Sequence, residues 1–152
     1  MRAILWSISL LLLIACGQQV LFEKLVSFDG GAWDYTNPAS YNFKVEDTES
    51  KYNLFLNIEH TTDYPYENIY LKIKTKFPDQ TTVSDTLSVQ MIDNKGNWIS
   101  KCSGEECLLT VFLQENIKFK SAGEYQIDIE QFTRKERLDG VNGLSFSIVA
   151  TE

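Results

Sequence analysis

The sequence predicts an all-β protein, a two-sheet antiparallel β-sandwich, and three observations lead to this fold class. Apolar and polar residues alternate with a period of two through much of the chain. Turn-forming residues interrupt these runs at short intervals, and no segment carries a sustained helical stripe. With 152 residues the chain has room for one domain with its own core.

The clearest strands are runs in which every second residue is apolar. Side chains of successive strand residues point to opposite faces, so each run has one apolar face and one wetter face. Six runs fit this template: Phe43 with Val45, Tyr52 to Ile58, Ile69 to Phe77, Val83 to Met91, Tyr125 to Ile129 and Leu144 to Ile148. About eight strands spaced in this way favour a sandwich of two antiparallel sheets.

Turn chemistry separates these runs. Asp29-Gly30-Gly31, Asp93 to Gly96 and Asp139-Gly140 are typical turn sequences. Gly123-Glu124-Tyr125 is similar to the tyrosine corner of immunoglobulin-like sandwiches, in which the hydroxyl bonds back to the backbone; the alternative is a plain glycine turn. We expect at most one helical turn, over Phe132 to Leu138.

The N-terminus has the pattern of an export signal. Met1-Arg2 is followed by an uncharged, Leu- and Ile-rich run from Ile4 to Ala15, shorter than the about 20 residues that a transmembrane helix needs. The run ends in Leu13-Ile14-Ala15-Cys16, which resembles the bacterial lipobox. We therefore predict a lipoprotein signal peptide over 1–15. The alternative is a buried N-terminal strand or helix that ends in a cysteine.

Lipidation of Cys16 would give the protein a diacylglycerol thioether and a further acyl chain, and two or more chains give stable membrane anchoring. This covalent lipid is the only non-protein group we expect. The predicted organisation is a lipidated N-terminus and tether over 16–24 and the β-sandwich over 25–152, although Val20 to Phe28 also suit a first edge strand. No Asp follows Cys16, which by resemblance to lipoprotein sorting signals favours the outer membrane, facing the periplasm.

Charge and cysteine content limit which partners and ligands the protein can bind. The 21 acidic and 14 basic residues give a net charge of −7, which argues against nucleic acid as a partner. In an oxidising compartment Cys102 and Cys107 are predicted to form a disulfide across the neck of a hairpin. A metal site would need two more ligands, and the chain has no second cysteine pair and only one histidine.

Motifs for catalysis are not evident. His60, the single imidazole, is expected to be a surface or turn residue, and the sequence has no Gly-x-Ser-x-Gly elbow. Asp93 to Asn97 lacks the ligands of an EF-hand and is expected to be a hairpin turn. We therefore predict that the protein is not an enzyme and has no metal site.

Aromatic residues provide the candidate binding site. Tyr64 and Tyr66 lie with Asn68 between two strand runs, where aromatics and amides stack sugars or anchor a partner protein. Alternatively, one tyrosine closes the end of the sandwich while its hydroxyl bonds to the backbone. Phe55 interrupts an otherwise polar strand face and is a second candidate for partner binding.

These landmarks occur in an order and spacing that resemble the gliding motility lipoprotein GldH family of the Bacteroidota. The resemblance extends over nearly the whole chain and rests on these segments: the lipobox at Cys16, Trp33, Tyr52 to Ile58, Asp63 to Leu71, Phe77-Pro78, Asp85 to Leu87, Asp93 to Trp98, Gly123 to Tyr125 and Leu138 to Val141. It implies an outer-membrane lipoprotein that works with protein partners in gliding and type IX secretion, and it assigns no catalytic residue. The alternative is a glycan-binding module of an envelope lipoprotein.

Overall fold

The computed structural model describes residues 19–151, and within them it is built almost entirely of strands. The predicted signal peptide and Cys16 lie outside the described residues. A single turn of 3-10 helix occupies Asp29–Gly31. The strands are β1 (Val20–Ser27), β2 (Ala32–Asp34), β3 (Ala39–Val45), β4 (Tyr52–Thr61), β5 (Asn68–Lys76), β6 (Thr82–Gln90), β7 (Lys101–Ser103), β8 (Glu106–Ile117), β9 (Gly123–Gln131), β10 (Arg137–Asp139) and β11 (Val141–Ala150).

The strands form two larger antiparallel sheets and one small ribbon. One sheet has five strands in the order β1-β11-β4-β8-β7, and the other has four in the order β3-β9-β5-β6. The ribbon pairs β10 with β2, placing Leu138 opposite Trp33. The all-β, sandwich-like prediction is therefore confirmed.

The predicted alternation matches the observed burial closely in β4, where every second residue from Tyr52 to His60 is buried. Contacts between the sheets form the core. The ring of Tyr41 on β3 lies 5.4 Å from that of Phe146 on β11, and its hydroxyl donates a hydrogen bond to the carbonyl of Leu144 at 2.8 Å. These contacts bury the apolar faces of both sheets against each other, which is the main source of stability in such a fold.

The corner before β9 has the hydrogen bond expected of a tyrosine corner. The Tyr125 hydroxyl donates to the carbonyl of Ser121 at 2.8 Å. Gly123, between them, has a φ of +133°, and a Cβ there would lie only 2.8 Å from Pro78. A glycine is therefore required for this turn.

One sequence prediction needs correction. Val20 to Lys24 are not part of a tether, because they lie in β1 and pair with β11. The alternative of a first edge strand is the correct one. The limit of at most one helical turn over Phe132 to Leu138 agrees with the structure, in which residues 132–136 form a loop and β10 follows.

The register places the loops at two opposite ends of the sandwich. At the Val20 end, Val20 pairs with Val149, and Tyr52 pairs with both Ala150 and Ile117. The Tyr64 end is reached by following β4 to Thr61 and then the loop to Asn68. Since β4 has ten residues and a strand rises about 3.3 Å per residue, the two ends are about 30 Å apart.

Candidate binding groove

A groove of about 460 Å³ opens at the Tyr64 end of the sandwich. One wall consists of Tyr66, Asn68 and Tyr70, at the start of β5, and the other consists of residues 132–135, which follow β9. Leu138 on β10 and the ring of Tyr64 form the floor. The groove thus lies where the four-stranded sheet meets the small ribbon, and its volume falls within the range of small-ligand sites.

The floor of the groove is fixed by buried residues. Tyr64 is only 3% exposed, and its hydroxyl donates a hydrogen bond to the Asn68 carbonyl at 3.0 Å. Burial raises the pKa of the Tyr64 phenol, with a further contribution from Tyr66, so the phenol remains a donor. Leu138 is 1% exposed and sits opposite Trp33 in the ribbon. Tyr64 therefore matches the alternative in which one tyrosine closes the end of the sandwich.

The second wall is held by Gln131, a buried amide at the end of β9. Its side chain donates a hydrogen bond to the Lys135 carbonyl at 2.8 Å and accepts bonds from the amide and hydroxyl of Thr133. The backbone amide of Phe132 donates to the Tyr70 carbonyl at 2.7 Å, which ties the two walls together. A buried polar side chain must find partners, and these bonds fix the loop for which at most one helical turn was expected.

The upper walls present aromatic side chains to solvent. Tyr66 is 39% exposed, Tyr70 47% and Phe132 57%. The Tyr66 ring contacts the edge of Tyr64 at a centroid distance of 5.6 Å, and the Lys72 ammonium lies 5.9 Å from the centre of the Phe132 ring. Arg134 and Lys135 add two exposed cations to the rim.

The structure therefore brings together Tyr64, Tyr66 and Asn68 of the predicted candidates. Sequence reasoning missed Tyr70 and Phe132, although both show the signal that drew attention to Phe55. Tyr70 lies between the buried Ile69 and Leu71, so it is on the solvent-exposed face of β5. Phe132 follows β9 directly and continues the solvent-exposed positions of that strand.

Phe55 does not join the groove. It lies on the outer face of the five-stranded sheet, where its ring centroid is 4.4 Å from that of Phe112 on β8. Phe112 is 60% exposed, and the neighbouring Asn57 accepts a hydrogen bond from the Thr110 hydroxyl at 2.7 Å. Within residues 19–151 the Phe55–Phe112 pair is thus an aromatic surface separate from the groove.

His60 is buried rather than exposed, so its predicted surface or turn position is wrong. His60 is the last buried residue in the alternating pattern of β4. Its ring packs against Trp98, with the two ring centroids 4.8 Å apart. Nδ1 lies 3.0 Å from the Thr61 carbonyl, which can only accept, so Nδ1 carries the proton and the Ser100 hydroxyl donates to Nε2 at 2.5 Å. Burial lowers the pKa of this imidazole. Neither His60 nor Ser100 lines the groove.

The hairpin of β7 and β8, at the Tyr64 end of the sandwich, contains the cysteine pair. Cys102 on β7 is directly opposite Cys107 on β8, with a Cα–Cα distance of 4.0 Å, and the two are joined in a disulfide. Asp93 to Asn97 forms the predicted hairpin turn, closed by a hydrogen bond from the Asp93 amide to the Asn97 carbonyl at 2.8 Å. Hydrogen bonds from Asn97 and Lys95 lower the pKa of the Asp93 carboxyl.

Among residues 19–151 there is no group of three or more His, Cys, Asp or Glu side chains placed to hold a metal ion. No helix in this part of the chain is long and apolar enough to cross a membrane. Fold and site together define a small acidic β-sandwich with an aromatic, basic-rimmed groove at one end.

Comparison with known proteins places this sandwich in a family. Residues 20–148 match the GldH lipoprotein family, and the chain belongs to it. It is 28% identical over 149 residues to a gliding motility lipoprotein GldH homolog of Christiangramia forsetii, covering 92% of this chain and 90% of that protein. It is 29% identical over 145 residues to the gliding motility lipoprotein GldH of Flavobacterium johnsoniae, covering 91% of this chain and 89% of that protein.

The family resemblance predicted from the sequence is therefore confirmed. Membership of a lipoprotein family places the chain at the cell envelope, and the names of the two relatives link the family to gliding motility.

Proposed function

We propose that this protein is a non-enzymatic accessory of a gliding and type IX secretion machinery, anchored by lipid on Cys16 to the periplasmic face of the outer membrane. The observation that carries the proposal is the relation between the anchor and the groove. Cys16 precedes the first strand by a few residues, whereas the groove lies at the opposite end of the sandwich.

The short connection constrains how the domain stands on a membrane. A chain extends at most about 3.5 Å per residue, so Val20 lies within about 14 Å of a lipidated Cys16. The Val20 end is then held close to the bilayer, and β4 carries the Tyr64 end about 30 Å away. The groove and the disulfide hairpin would then point away from the bilayer into the periplasm, where protein partners can reach them.

The described side chains support a binding role rather than a catalytic one. His60 and Ser100 do form a hydrogen-bonded pair, and a nucleophile beside a base is a common catalytic arrangement. Here, however, the other imidazole nitrogen bonds to a backbone carbonyl, and the ring packs against Trp98 and Tyr64. We infer that the pair stabilises the end of the sandwich.

The anchor is tested by replacing Cys16 with Ser and following labelled palmitate and membrane fractionation. We expect the variant to take up no palmitate and to leave the membrane fraction. Incorporation of palmitate into Cys16→Ser would contradict the anchor assignment.

The accessory role is tested by site-specific photo-crosslinking in living cells. A photoreactive residue at Phe132, in the groove, is compared with one at Lys118, which lies near the Val20 end. We expect protein adducts from position 132 that include gliding or secretion components. If neither position gives a protein adduct, the accessory role is contradicted.

A second candidate function, glycan binding, is favoured by the exposed rings of Tyr66, Tyr70 and Phe132. Aromatic faces of this kind stack against sugars. Binding of oligosaccharides on a glycan array that disappears in Tyr66→Ala would support this function over a protein-docking role.

A further inference from the structure

The groove differs in charge from the rest of the molecule. Its lining contains two cations, Arg134 and Lys135, and no carboxylate, whereas the whole chain has a net charge of −7. Neither cation forms an ion pair with any of residues 19–151, while the nearby Arg137 is paired with Asp139 at 3.1 Å. Two cations on the rim of an acidic protein favour a ligand that carries negative charge.

The interior of the groove is apolar. Its floor is made by Leu138 and the ring of Tyr64, both almost completely buried, and its walls by three partly exposed aromatic rings. A cavity of about 460 Å³ has room for one or two large side chains. Covering this surface would remove apolar area from water, which is the usual driving force for inserting an aliphatic or aromatic side chain.

The walls of the groove are formed before any ligand binds. Gln131 holds the loop at Lys135, the Phe132 amide bonds to the Tyr70 carbonyl, and the Tyr64 hydroxyl bonds to the Asn68 carbonyl. A site whose walls are already ordered loses less conformational entropy on binding, so a short segment can bind it with useful affinity.

From this combination we propose that the groove binds an extended peptide segment of a partner protein, with a large apolar side chain inserted on Leu138 and flanking Asp or Glu carboxylates on Arg134 and Lys135. This inference rests on the proposed role in docking protein partners and specifies the chemistry of the partner.

A peptide fits the groove better than a glycan does. Sugars need many hydrogen-bonding groups for their hydroxyls. Here the Tyr64 hydroxyl is already bonded to the Asn68 carbonyl, and the floor offers only apolar atoms. A concave apolar floor with cations at the rim suits a side chain flanked by carboxylates.

The test is selection of a displayed random peptide library against the full-length lipoprotein in detergent. We expect enrichment of sequences in which Asp or Glu flank a large apolar residue. For a selected peptide, affinity should fall about tenfold or more in Arg134→Glu/Lys135→Glu and in Phe132→Ala, and stay unchanged in Phe112→Ala on the other surface. All altered side chains are exposed, and circular dichroism verifies that the variants fold.

Three outcomes of the peptide experiment would overturn the inference. These are no enrichment, enriched sequences without acidic residues, or binding that does not respond to charge reversal at Arg134 and Lys135. Oligosaccharide binding that depends on Tyr66 and Phe132 would also overturn it, in favour of the glycan. Because the library test needs no anchor, peptide binding should persist in Cys16→Ser. Protein adducts in cells without selective peptide binding would contradict this inference alone.

Discussion

The hydroxyl of Tyr64 donates a hydrogen bond to the Asn68 carbonyl, 3.0 Å away, and thereby closes the loop that carries one wall of the groove. The ring is buried, and the loop places Tyr66 beside it at the groove wall. A single tyrosine therefore links the packing of the sandwich end to the shape of the candidate binding site.

Removing the Tyr64 hydroxyl should lower the free energy of unfolding without leaving a cavity in the core. In Tyr64→Phe the ring remains, but the partly buried Asn68 carbonyl loses this hydrogen bond. We expect the free energy of unfolding to fall by about 1 kcal/mol, as for a typical hydrogen bond. Urea denaturation measures the change. Tyr66→Phe, at a partly exposed position, is the control and should change little; equal losses in both variants would contradict the assignment.

A side chain at Gly140 should destabilise the fold. Its φ is +82°, and an added Cβ would lie 3.0 Å from the backbone of Tyr64. Gly104 also has a positive φ, +65°, but a Cβ added to it would have no other atom within 4 Å. Gly104→Ala should cost only the strain of a left-handed conformation, about 1 kcal/mol, whereas Gly140→Ala should cost at least about 1 kcal/mol more.

Thermal unfolding of both alanine variants measures this difference. Similar melting temperatures would show that the close approach of Gly140 to Tyr64 does not constrain the fold.

The buried His60 should make stability depend on pH. Burial lowers the pKa of the folded imidazole below its ordinary value of 6.5, so the unfolded chain binds a proton first as the pH falls. The free energy of unfolding should therefore decrease once the pH drops below about 6.5, and level off at the lower folded pKa. The ring faces Trp98, Tyr64, Ser100 and the Thr61 carbonyl, none of them charged.

Urea denaturation between pH 8 and pH 5 measures this effect. His60→Gln should be less stable at pH 8, by about 1–3 kcal/mol for the lost buried hydrogen bonds, and should lose less stability on acidification. The hydrogen-bonded carboxyls Asp34, Asp47, Asp79 and Asp93 have a pKa below the ordinary value of 3.8, so their stabilising contribution is lost only as the pH falls below about 3.8, outside the range from pH 8 to pH 5. An unchanged pH profile in His60→Gln would refute this role.

The disulfide should stabilise the hairpin at the Tyr64 end. It closes a loop with a sequence separation of 5, for which chain entropy gives about 2 kcal/mol. Reduction should lower the stability of the wild type by up to this amount and leave Cys102→Ser/Cys107→Ser unchanged. A thiol assay on unfolded, non-reduced protein provides the direct measurement, and free thiols at both positions would contradict the bond.

Most strands are predictable from the sequence because one face of each strand is buried and the other is exposed to solvent, which produces the alternating pattern seen in β4. Sequence reasoning misses β8, whose run Leu108, Leu109, Val111 and Phe112 is apolar on both faces, so no alternation marks it. The segment Phe132 to Leu138, for which at most one helical turn was expected, forms none. Its local composition permits a helical turn, but the buried side chain of Gln131 bonds across the loop and fixes it open.

The candidate site is only partly visible in sequence for a related reason. Tyr64, Tyr66 and Asn68 stand close together in the chain, whereas Phe132, Arg134 and Leu138 reach them only through the pairing of β5 with β9 and of β2 with β10. His60 also shows this limit. Its alternating phase indicates burial, but its partners Trp98 and Ser100 come from a distant loop.

The proposed function depends most on the orientation of the sandwich relative to the membrane. Energy transfer measures it directly, with donor dyes on non-natural residues at Lys118 or Arg134 and acceptors on lipid headgroups, in liposomes carrying the lipidated protein. We predict strong transfer from position 118, near the Val20 end, and weak transfer from position 134, at the groove. Equal transfer from both positions, or stronger transfer from position 134, would contradict a groove held away from the bilayer.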